Sequence, residues 1–436
     1  MNKQLIFIEE KYYSVEELNK NLNNQDLVIL NKRGIITGIN QGYKFIFVGV
    51  ISIRNIAFTV LPKTLQKDSN LKASLTIKTL KTYSNNNSQL FDGIDYFNVD
   101  PDHSECSELA IAEFLINDFQ ENGLCRFEED LHKINGEGDI NWSETINFIH
   151  PIYSRNKPIY DDTINQITID DQNHLTLALH KWSLGYVSKK YSEYLASDLF
   201  RLAFHYEENL NEIGNVVQLI NHLQRQLSLI YSDREIRLIK SLIYLLKKKA
   251  GSIENDLSLY GTKKYENVWE SICKLIVNDN YQAGQYFSNP TWNILNKDYK
   301  SGGTLIPDIT CQDPKTGNFY LFDAKYYSIK YKGAFSGEPG YKDILKQFQY
   351  QIHIEKKIGK NISNAFLFPA SDNDFQSIKN NIETLSFNNF MAVIGSVQYE
   401  LFEDKKIWII MCPFSKWQSD YINNKVIEYS KIFWEA

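Results

Sequence analysis

Short apolar runs, rich in β-branched residues, follow one another along the first part of the chain. They lie at residues 26–30, 43–51 and 56–62, with Gly, Asn or Arg-Asn between them. Runs of this length between turn residues favour strands, and Pro62 ends the third run because proline cannot donate to a central ladder. One helix is predicted at residues 71–80. The pattern therefore predicts a β-rich N-terminal domain at residues 1–102.

Apolar residues then take up helical spacing. The predicted helices cover residues 107–119, 175–182, 195–204, 216–229 and 234–246. Asn122-Gly123 follows the first of them, which is a typical helix end. Trp142 lies between polar residues, and we interpret it as part of a strand that alternates between core and surface; a contact with substrate or partner is the alternative. Residues 103–250 are therefore predicted to be mainly helical.

Strand patterns return in the last third of the chain. Apolar runs occur at residues 364–369, 390–395 and 406–411, and helical spacing occurs at residues 264–276 and 343–351. Alternation of this kind favours an α/β layer structure with a mixed central sheet covered by helices on both faces. The predicted fold class is thus α+β and multidomain, with an α/β domain at residues 251–436.

Composition narrows the class of protein. The chain has 436 residues, 43% of them hydrophobic and 23% charged, as in a soluble globular protein of two or three domains. It contains no apolar run of about 18 residues, and its start lacks a signal-peptide pattern, so we expect no membrane span. The five cysteines are scattered without a CxxC pair: Cys106, Cys125, Cys273, Cys311 and Cys412. We therefore expect reduced thiols, a cytoplasmic location and no structural zinc.

The most informative stretch for chemistry is residues 301–327. Two apolar runs, at 304–310 and 318–326, flank a polar segment with Pro314 and Gly317, which predicts a β-hairpin. The first run carries Asp308, and the second carries Asp323 and Lys325. Side chains two residues apart emerge on one face of a strand, and the hairpin could place Asp308 on that same face. This spacing is the PD-(D/E)xK nuclease pattern.

The residue types suit magnesium-dependent phosphodiester hydrolysis. Mg²⁺ prefers oxygen ligands, which Asp308, Asp323 and the carbonyl of Ala324 could supply. The ion would polarise the phosphate and lower the pKa of a water, and Lys325 would position that water or stabilise the developing charge. The alternative is a surface pair of Asp323 and Lys325 on an edge strand, with Asp308 at a turn.

Two flanking helices add candidate residues. Glu266 and Glu270 lie four apart on the upstream helix, so either could reach a metal beside the hairpin. On the downstream helix, Gln347 could hydrogen-bond the attacking water or a phosphate oxygen. Two solvated glutamates and an ordinary exposed glutamine are the alternatives.

The formal net charge of −6 argues against strong non-specific DNA binding by the chain alone. Lysines nevertheless gather around the predicted site and could neutralise backbone phosphates. They are Lys325, Lys330, Lys332, Lys342 and Lys346, with Lys356, Lys357 and Lys360 beyond. We therefore expect DNA recognition to be shared with a partner; a set of solvated lysines is the alternative, above all beyond Lys346.

Several segments together resemble the LlaJI restriction endonuclease family, which is related to the McrC nuclease subunit of modification-dependent restriction. They are residues 47–51 leading to Leu61-Pro62-Lys63, residues 136–146, residues 265–270, Ile306-Pro307-Asp308, residues 323–327, and Asp343 through Lys346-Gln347 to Tyr350. The resemblance implies a type II-like DNA-cleaving subunit acting on double-stranded DNA with an McrB-like AAA+ NTPase. The N-terminal domain is then a candidate for the NTPase contact, and self-association is one way to cut both strands.

Other chemistries lack their motifs. The chain has no GxxxxGK[ST] phosphate loop, no HExxH or HNH-like histidine grouping and no GxSxG elbow. Nucleotide hydrolysis is therefore assigned to the partner. Two rival hypotheses stay open: a non-catalytic adaptor that stimulates an AAA+ NTPase, and a stand-alone DNA nuclease.

Overall fold

The computed structural model describes most of the chain. The described residues are 5–53, 56–65, 70–86, 95–96, 107–171, 174–191, 206, 209–250, 257–287, 291–300, 306–330, 336–380, 386–402 and 404–432. The chain forms two compact units: the first comprises Met1–Phe97 and Leu257–Ala436, and the second comprises Asn98–Asp256. The division at residues 102 and 250 stays a prediction; both outer segments fall in the first unit.

The elements are numbered in chain order. The strands are β1 (Leu5–Ile8), β2 (Tyr12–Ser14), β3 (Ile36–Ile39), β4 (Gly42–Phe45), β5 (Val48–Ile53), β6 (Ile56–Leu61), β7 (Asp95–Tyr96), β8 (Glu128–Ile134), β9 (Asp139–Ile140), β10 (Ile152–Ser154), β11 (Lys157–Ile159), β12 (Ile164–Asp170), β13 (Leu257–Thr262), β14 (Thr291–Ile294), β15 (Lys297–Lys300), β16 (Ile309–Gln312), β17 (Phe319–Ala324), β18 (Ser363–Ala370), β19 (Ser386–Phe387), β20 (Ala392–Val397) and β21 (Ile407–Pro413). The helices are α1 (Val15–Asn19), α2 (Asn24–Lys32), α3 (Asn70–Asn86), α4 (Glu108–Asn122), α5 (Trp142–Phe148), α6 (Leu175–Tyr191), α7 (Leu210–Ile213), α8 (Val216–Leu227), α9 (Asp233–Lys249), α10 (Tyr265–Ile276), α11 (Tyr341–Ile358), α12 (Asp372–Lys379) and α13 (Phe414–Ile422).

The N-terminal part of the first unit is built on a sheet with the strand order β1-β6-β5-β13-β7. β13 follows the second unit in sequence, yet it pairs antiparallel with β5 along its whole length. Gly49 and Gly261 face each other in this pairing with positive φ, and a Cβ on either would meet a backbone oxygen at 2.1 Å. The two strands can approach this closely because both positions are glycine. A smaller sheet, β2-β4-β3, packs nearby around Phe7, Tyr13 and Phe45.

The rest of the first unit contains a mixed sheet, whose described strands run in the order β16-β17-β18-β21-β20-β19. β17, β18 and β21 are parallel to one another, and the others pair antiparallel. Phe366 and Phe368 of β18 pack in one core cluster with Phe348 of α11 and Phe375 of α12. α10 and α13 pack through stacked tryptophans. The predicted α+β multidomain class is confirmed.

The second unit combines helices with small sheets. Helix α4 packs against α6 and α9, and the buried carboxylate of Glu108 pairs with Lys190 Nζ at 2.8 Å and Lys248 Nζ at 2.5 Å. Beside its helices, the middle region also carries the sheet β8-β12-β9 and the hairpin β10–β11. The helix predicted at residues 195–204 lies outside the described residues.

Two local predictions were wrong. Residues 26–30 belong to helix α2 and not to a strand. Asn23 and Asp26 form a reciprocal capping box, and the buried Leu27 and Leu30 lie on one helical face, so capping and burial outweigh the β-branched content. Trp142 begins helix α5, because Asn141 accepts a hydrogen bond from the backbone N–H of Glu144 and caps it.

Most of the other predicted helices are present. α3, α4, α6, α8 and α9 cover the predicted segments, and α4 ends at Gly123, which has a positive φ. In the described part of the chain, no helix combines the length and the apolar character needed to cross a bilayer.

Candidate active site

A hairpin brings the two predicted aspartates together. β16 and β17 are antiparallel, with Ile309 opposite Phe322, so Asp308 before β16 lies beside Asp323. The turn is stabilised locally, because Asp313 accepts hydrogen bonds from the Lys315 N–H at 2.9 Å and the Thr316 hydroxyl at 2.6 Å. The predicted hairpin is present, although its first described strand begins only at Ile309. Residues 301–305 lie outside the described residues.

The Asp308 and Asp323 carboxyl groups lie within hydrogen-bonding reach of each other. Asp323 is only 7% exposed, and Asp308 is half-buried. Burial, the hydrogen bond to Asp323 and the charge of Asp323 raise the pKa of Asp308 to about 7, against the opposing effects of Lys325 and Lys346. Two carboxylates this close repel each other when both are ionised. Without a cation the pair therefore retains a proton near neutral pH.

Lys325 extends into this pair. Its Nζ lies 2.8 Å from Asp323 Oδ2 and 3.6 Å from Asp343 Oδ1. Burial alone would lower the pKa of Lys325, but Asp323, then Asp343 and Asp308, raise it. The backbone N–H of Lys325 donates to the Leu367 carbonyl at 3.0 Å and continues the strand pairing past Ala324. A charged ammonium is thus held against the carboxyl pair.

Helix α11 brings Tyr350 and Lys346 to the side of the hairpin that carries the carboxyl pair. The Tyr350 hydroxyl donates to the Ile306 carbonyl at 2.9 Å and so fixes the backbone just before Asp308. Burial alone would lower the pKa of Lys346, but its contact with Tyr350 and the charges of Asp308 and Asp323 raise it. Lys346 therefore adds positive charge beside the carboxyl pair.

Gln347, on the same helix, contacts Asn364 of β18. It is 2% exposed, and its Nε2 donates to Asn364 Oδ1 at 2.7 Å. Asn364 in turn donates to Gln351 Oε1 at 2.9 Å, so the two glutamines fasten α11 to β18. The structure does not direct the Gln347 amide toward the carboxyl pair.

The two upstream glutamates differ in their surroundings. Glu266 is exposed on α10, whereas Glu270 is half-buried, with Oε1 2.6 Å from Lys274 Nζ. Burial alone would lower the pKa of Lys274, but Glu270, with Asp279 and Asp308, raises it. Glu270 therefore lies on the flank that faces the hairpin. Among the described residues no group of three or more His, Cys, Asp or Glu side chains is arranged to hold a metal ion.

Sequence reasoning missed Asp343 as a member of the site. It lies in the first turn of α11, three residues before Lys346, and its contact with Lys325 depends on how α11 packs against the sheet. Its local signal was an acidic residue in a first helical turn, which is common on helices of any function.

Residues 47–399 match the family model described as "LlaJI restriction endonuclease". This span includes Asp308, Asp323 and Lys325 and the helices α10 and α11. The chain belongs to the LlaJI restriction endonuclease family. The predicted resemblance is confirmed, and it extends from the N-terminal sheet through the candidate site.

A curated relative agrees with the LlaJI assignment. The chain is 31% identical over 447 residues to the "Type II restriction enzyme BsuMI component YdjA" of Bacillus subtilis (strain 168), covering 98% of this chain and 91% of the relative. This LlaJI-family chain is therefore a nuclease component of a restriction system.

One solved structure is also similar. It is the refined half-complex of Thermococcus gammatolerans McrB AAA+ hexamers with bound McrC. The match has a TM-score of 0.42 and 11% identity, and it covers 97% of this chain and 99% of the matched chain. A likeness at this level carries no conclusion about the function of the LlaJI-family chain.

Proposed function

We propose that this chain cleaves double-stranded DNA by Mg²⁺-dependent phosphodiester hydrolysis in a PD-(D/E)xK-type site. The observation that carries the proposal is the contact of Asp308 with Asp323 and the position of Lys325 Nζ 2.8 Å from Asp323. Two carboxylates and an ammonium at the end of a hairpin match the predicted constellation in residue type and proximity.

The donor set fits a divalent cation. A buried pair of carboxylates is stable in its ionised form only when a positive charge compensates the repulsion. Asp308, Asp323 and the Ala324 carbonyl would hold Mg²⁺, and Glu270 is the nearer candidate for a further ligand or a water-mediated contact. When bound, the ion supplies Lewis-acid stabilisation of the phosphate and a lowered pKa for a water.

The remaining chemistry belongs to side chains of the chain itself. Lys325 is charged and held by Asp323 and Asp343, so it can orient the attacking water or donate to the phosphoryl oxygen as negative charge develops. Lys346 lies beside the same carboxylates and can bind a non-bridging oxygen. Tyr350 keeps the backbone ahead of Asp308 in place.

A partner AAA+ NTPase is the second part of the proposal. The chain has no phosphate loop and a net charge of −6, its motifs resemble McrC-related nucleases, and its B. subtilis relative is called a component. The second unit also exposes apolar side chains on α5 and on the hairpin β10–β11, including Phe148 at 72% and Tyr153 at 72%. Ile152 and Ile159, which pair across the hairpin, are exposed as well, and contiguous exposed apolar patches mark protein interaction sites.

The test of the active site uses two substitutions and a matched control. Asp323→Asn and Lys325→Met should abolish cleavage of plasmid DNA while the circular dichroism spectrum is kept. Lys425→Met, at an exposed lysine outside the site, should cleave like the wild type. Cleavage retained by either site variant would refute the assignment.

The test of the partner compares cleavage with and without an added McrB-like AAA+ NTPase. The proposal expects cleavage only with the NTPase and nucleotide. Cleavage by the chain alone would favour the stand-alone nuclease. NTPase stimulation without any cleavage, unchanged by Lys325→Met, would favour the adaptor, which the exposed apolar surface of the second unit also suits.

A further inference from the structure

Tyr326 follows Lys325 directly in sequence but contacts a different part of the first unit. Its hydroxyl donates a hydrogen bond to Glu9 Oε2 at 2.7 Å, and Glu9 follows β1. Both side chains are buried, Tyr326 being 5% and Glu9 6% exposed. Successive residues of one segment thus engage the carboxyl pair and the N-terminal sheet.

A third group closes this contact. The backbone N–H of Lys63, two residues beyond the end of β6, lies 3.2 Å from Glu9 Oε2 and 3.1 Å from the Tyr326 hydroxyl oxygen. The Lys63 side chain covers the tyrosine ring, with Nζ 4.6 Å from its centroid. Two elements of the N-terminal sheet therefore hold Tyr326.

The backbone of Glu9 is itself held by neighbouring strands. The Glu9 N–H donates to the Leu61 carbonyl at 2.9 Å, and Glu9 forms a bridge with Phe45, so its backbone is tied to β6 and β4. Burial raises the pKa of Glu9 to about 7, although Tyr326 and Lys63 lower it. Both the protonated and the ionised carboxyl group can accept the tyrosine hydrogen bond, so the contact does not depend on that titration.

Tyr326 also packs against the helix that carries the upstream glutamates. Its ring centroid is 5.4 Å from that of Tyr265, the first residue of α10. The Tyr265 hydroxyl accepts a hydrogen bond from Gln418 Nε2 at 2.9 Å. Tyr326 therefore lies where the N-terminal sheet, α10 and the end of β17 meet.

We propose that Glu9, Tyr326 and the backbone of Lys63 form a clamp that positions Lys325 against Asp308 and Asp323. The clamp rests on the proposed nuclease function and deepens it. Its members are positioning residues, because they act through Lys325 and not on the substrate. A long lysine side chain keeps a fixed direction only if the backbone beneath it is fixed. Past the end of β17 at Ala324, that backbone is held by the bond from the Lys325 N–H to Leu367 and by Tyr326, the next residue.

The experiment compares Tyr326→Phe, Glu9→Ala and Glu9→Gln with the wild-type chain of 436 residues. Tyr320→Phe is the matched control, since it removes a hydroxyl from the other end of β17. The first readout is kcat and KM for DNA cleavage with Mg²⁺ and the partner NTPase. The second is amide hydrogen exchange over residues 319–327, which requires no activity.

Tyr326→Phe and Glu9→Ala should lower kcat roughly ten- to a hundredfold with little change in KM, as expected for a misplaced catalytic group. Both should also speed exchange at residues 324–327. Glu9→Gln keeps an acceptor oxygen and should retain most of the activity and protection, and Tyr320→Phe should match the wild type. A loss of stability alone would lower the apparent kcat by reducing the fraction of folded protein. Thermal unfolding is therefore measured for every variant.

The outcomes separate this inference from the proposed function. If the wild type cleaves and Tyr326→Phe has unchanged kcat, the clamp is overturned while the nuclease proposal stands. If the wild type cleaves no DNA under any condition, the nuclease proposal fails. The clamp is then tested by amide hydrogen exchange alone. Unchanged protection of residues 324–327 in Tyr326→Phe overturns it in either case.

Discussion

Asp308 and Asp323 are 15 residues apart in sequence, but the hairpin places them side by side. Their carboxyl groups lie within hydrogen-bonding reach of each other, beside Lys325. This contact raises the pKa of Asp308 to about 7, together with burial, which is the larger cause. The chemistry of the site therefore depends on how the positive charge of Lys325, Lys346 and a bound cation compensates one carboxylate pair.

The raised pKa of Asp308 makes stability depend on pH in a defined direction. The folded chain binds this proton more tightly than the unfolded chain, whose ordinary value is 3.8. The contribution is fully present below that value and is lost as pH rises through about 7. In EDTA, the free energy of unfolding should fall between pH 5 and pH 8, and Asp308→Asn should remove about 1–3 kcal/mol of that fall.

Urea denaturation at the two pH values measures this difference. Glu9 also has a raised pKa and contributes a slope of the same sign, so the comparison of variant with wild type is decisive. Millimolar Mg²⁺ should stabilise the wild type at pH 8 and stabilise Asp308→Asn much less. Equal stabilisation of both would remove Asp308 from the metal site.

The two upstream glutamates should differ in importance. Glu270 is half-buried and paired with Lys274 on the flank facing Asp308, whereas Glu266 is exposed. Glu270→Gln should reduce cleavage at limiting Mg²⁺ about tenfold, and Glu266→Gln less than about twofold. A Mg²⁺ titration of cleavage rate checks this, and the reverse order would make Glu266 the functional acid.

Gln347 should affect stability more than catalysis. Removing its side chain leaves Asn364 with an unpaired oxygen in a buried position. Gln347→Ala should lower the free energy of unfolding by about 1–3 kcal/mol. The exposed Gln349→Ala on the same helix should be neutral.

Kinetics at low temperature, where both variants are folded, complete this test. The kcat of Gln347→Ala should stay within about twofold of the wild type if its amide only fastens α11 to β18. A large fall in kcat with unchanged stability would instead restore the predicted catalytic role.

The second unit depends on a buried charge cluster. Burial would raise the pKa of Glu108, but Lys248 and Lys190 outweigh it and lower that pKa. Its stabilisation is therefore fully present above the ordinary value of 4.5 and is lost as pH falls below that value, through the lowered pKa of the folded chain. Glu108→Gln should leave two buried ammonium groups uncompensated and destabilise the chain by about 3–5 kcal/mol.

Thermal unfolding at pH 7 measures the loss, with Glu121→Gln as an exposed control on the same helix. The difference between Glu108→Gln and the wild type should shrink at pH 4. A pH-independent difference would mean that the side-chain shape, and not its charge, is what Glu108 contributes.

Local patterns predicted the elements whose signals are local. The hairpin followed from turn residues and the α10 helix from its apolar spacing, and both are present. The strand predicted at residues 26–30 failed because β-branched content was weighed above the capping pair Asn23 and Asp26. Trp142 was misplaced in the same way, since Asn141 caps a short helix there.

The sequence by itself determined the hairpin and the order of Asp308, Asp323 and Lys325, because both depend on residues close together in the chain. It also determined the family resemblance, because that rests on the order of short motifs along the chain. Only the tertiary structure decided that Asp343 reaches Lys325, that Gln347 faces Asn364, and that Tyr326 bonds to Glu9. The physical reason is that helical spacing defines the faces of a helix, but packing decides what each face meets. Contacts between residues as distant as Glu9 and Tyr326 arise only when separate elements share one core.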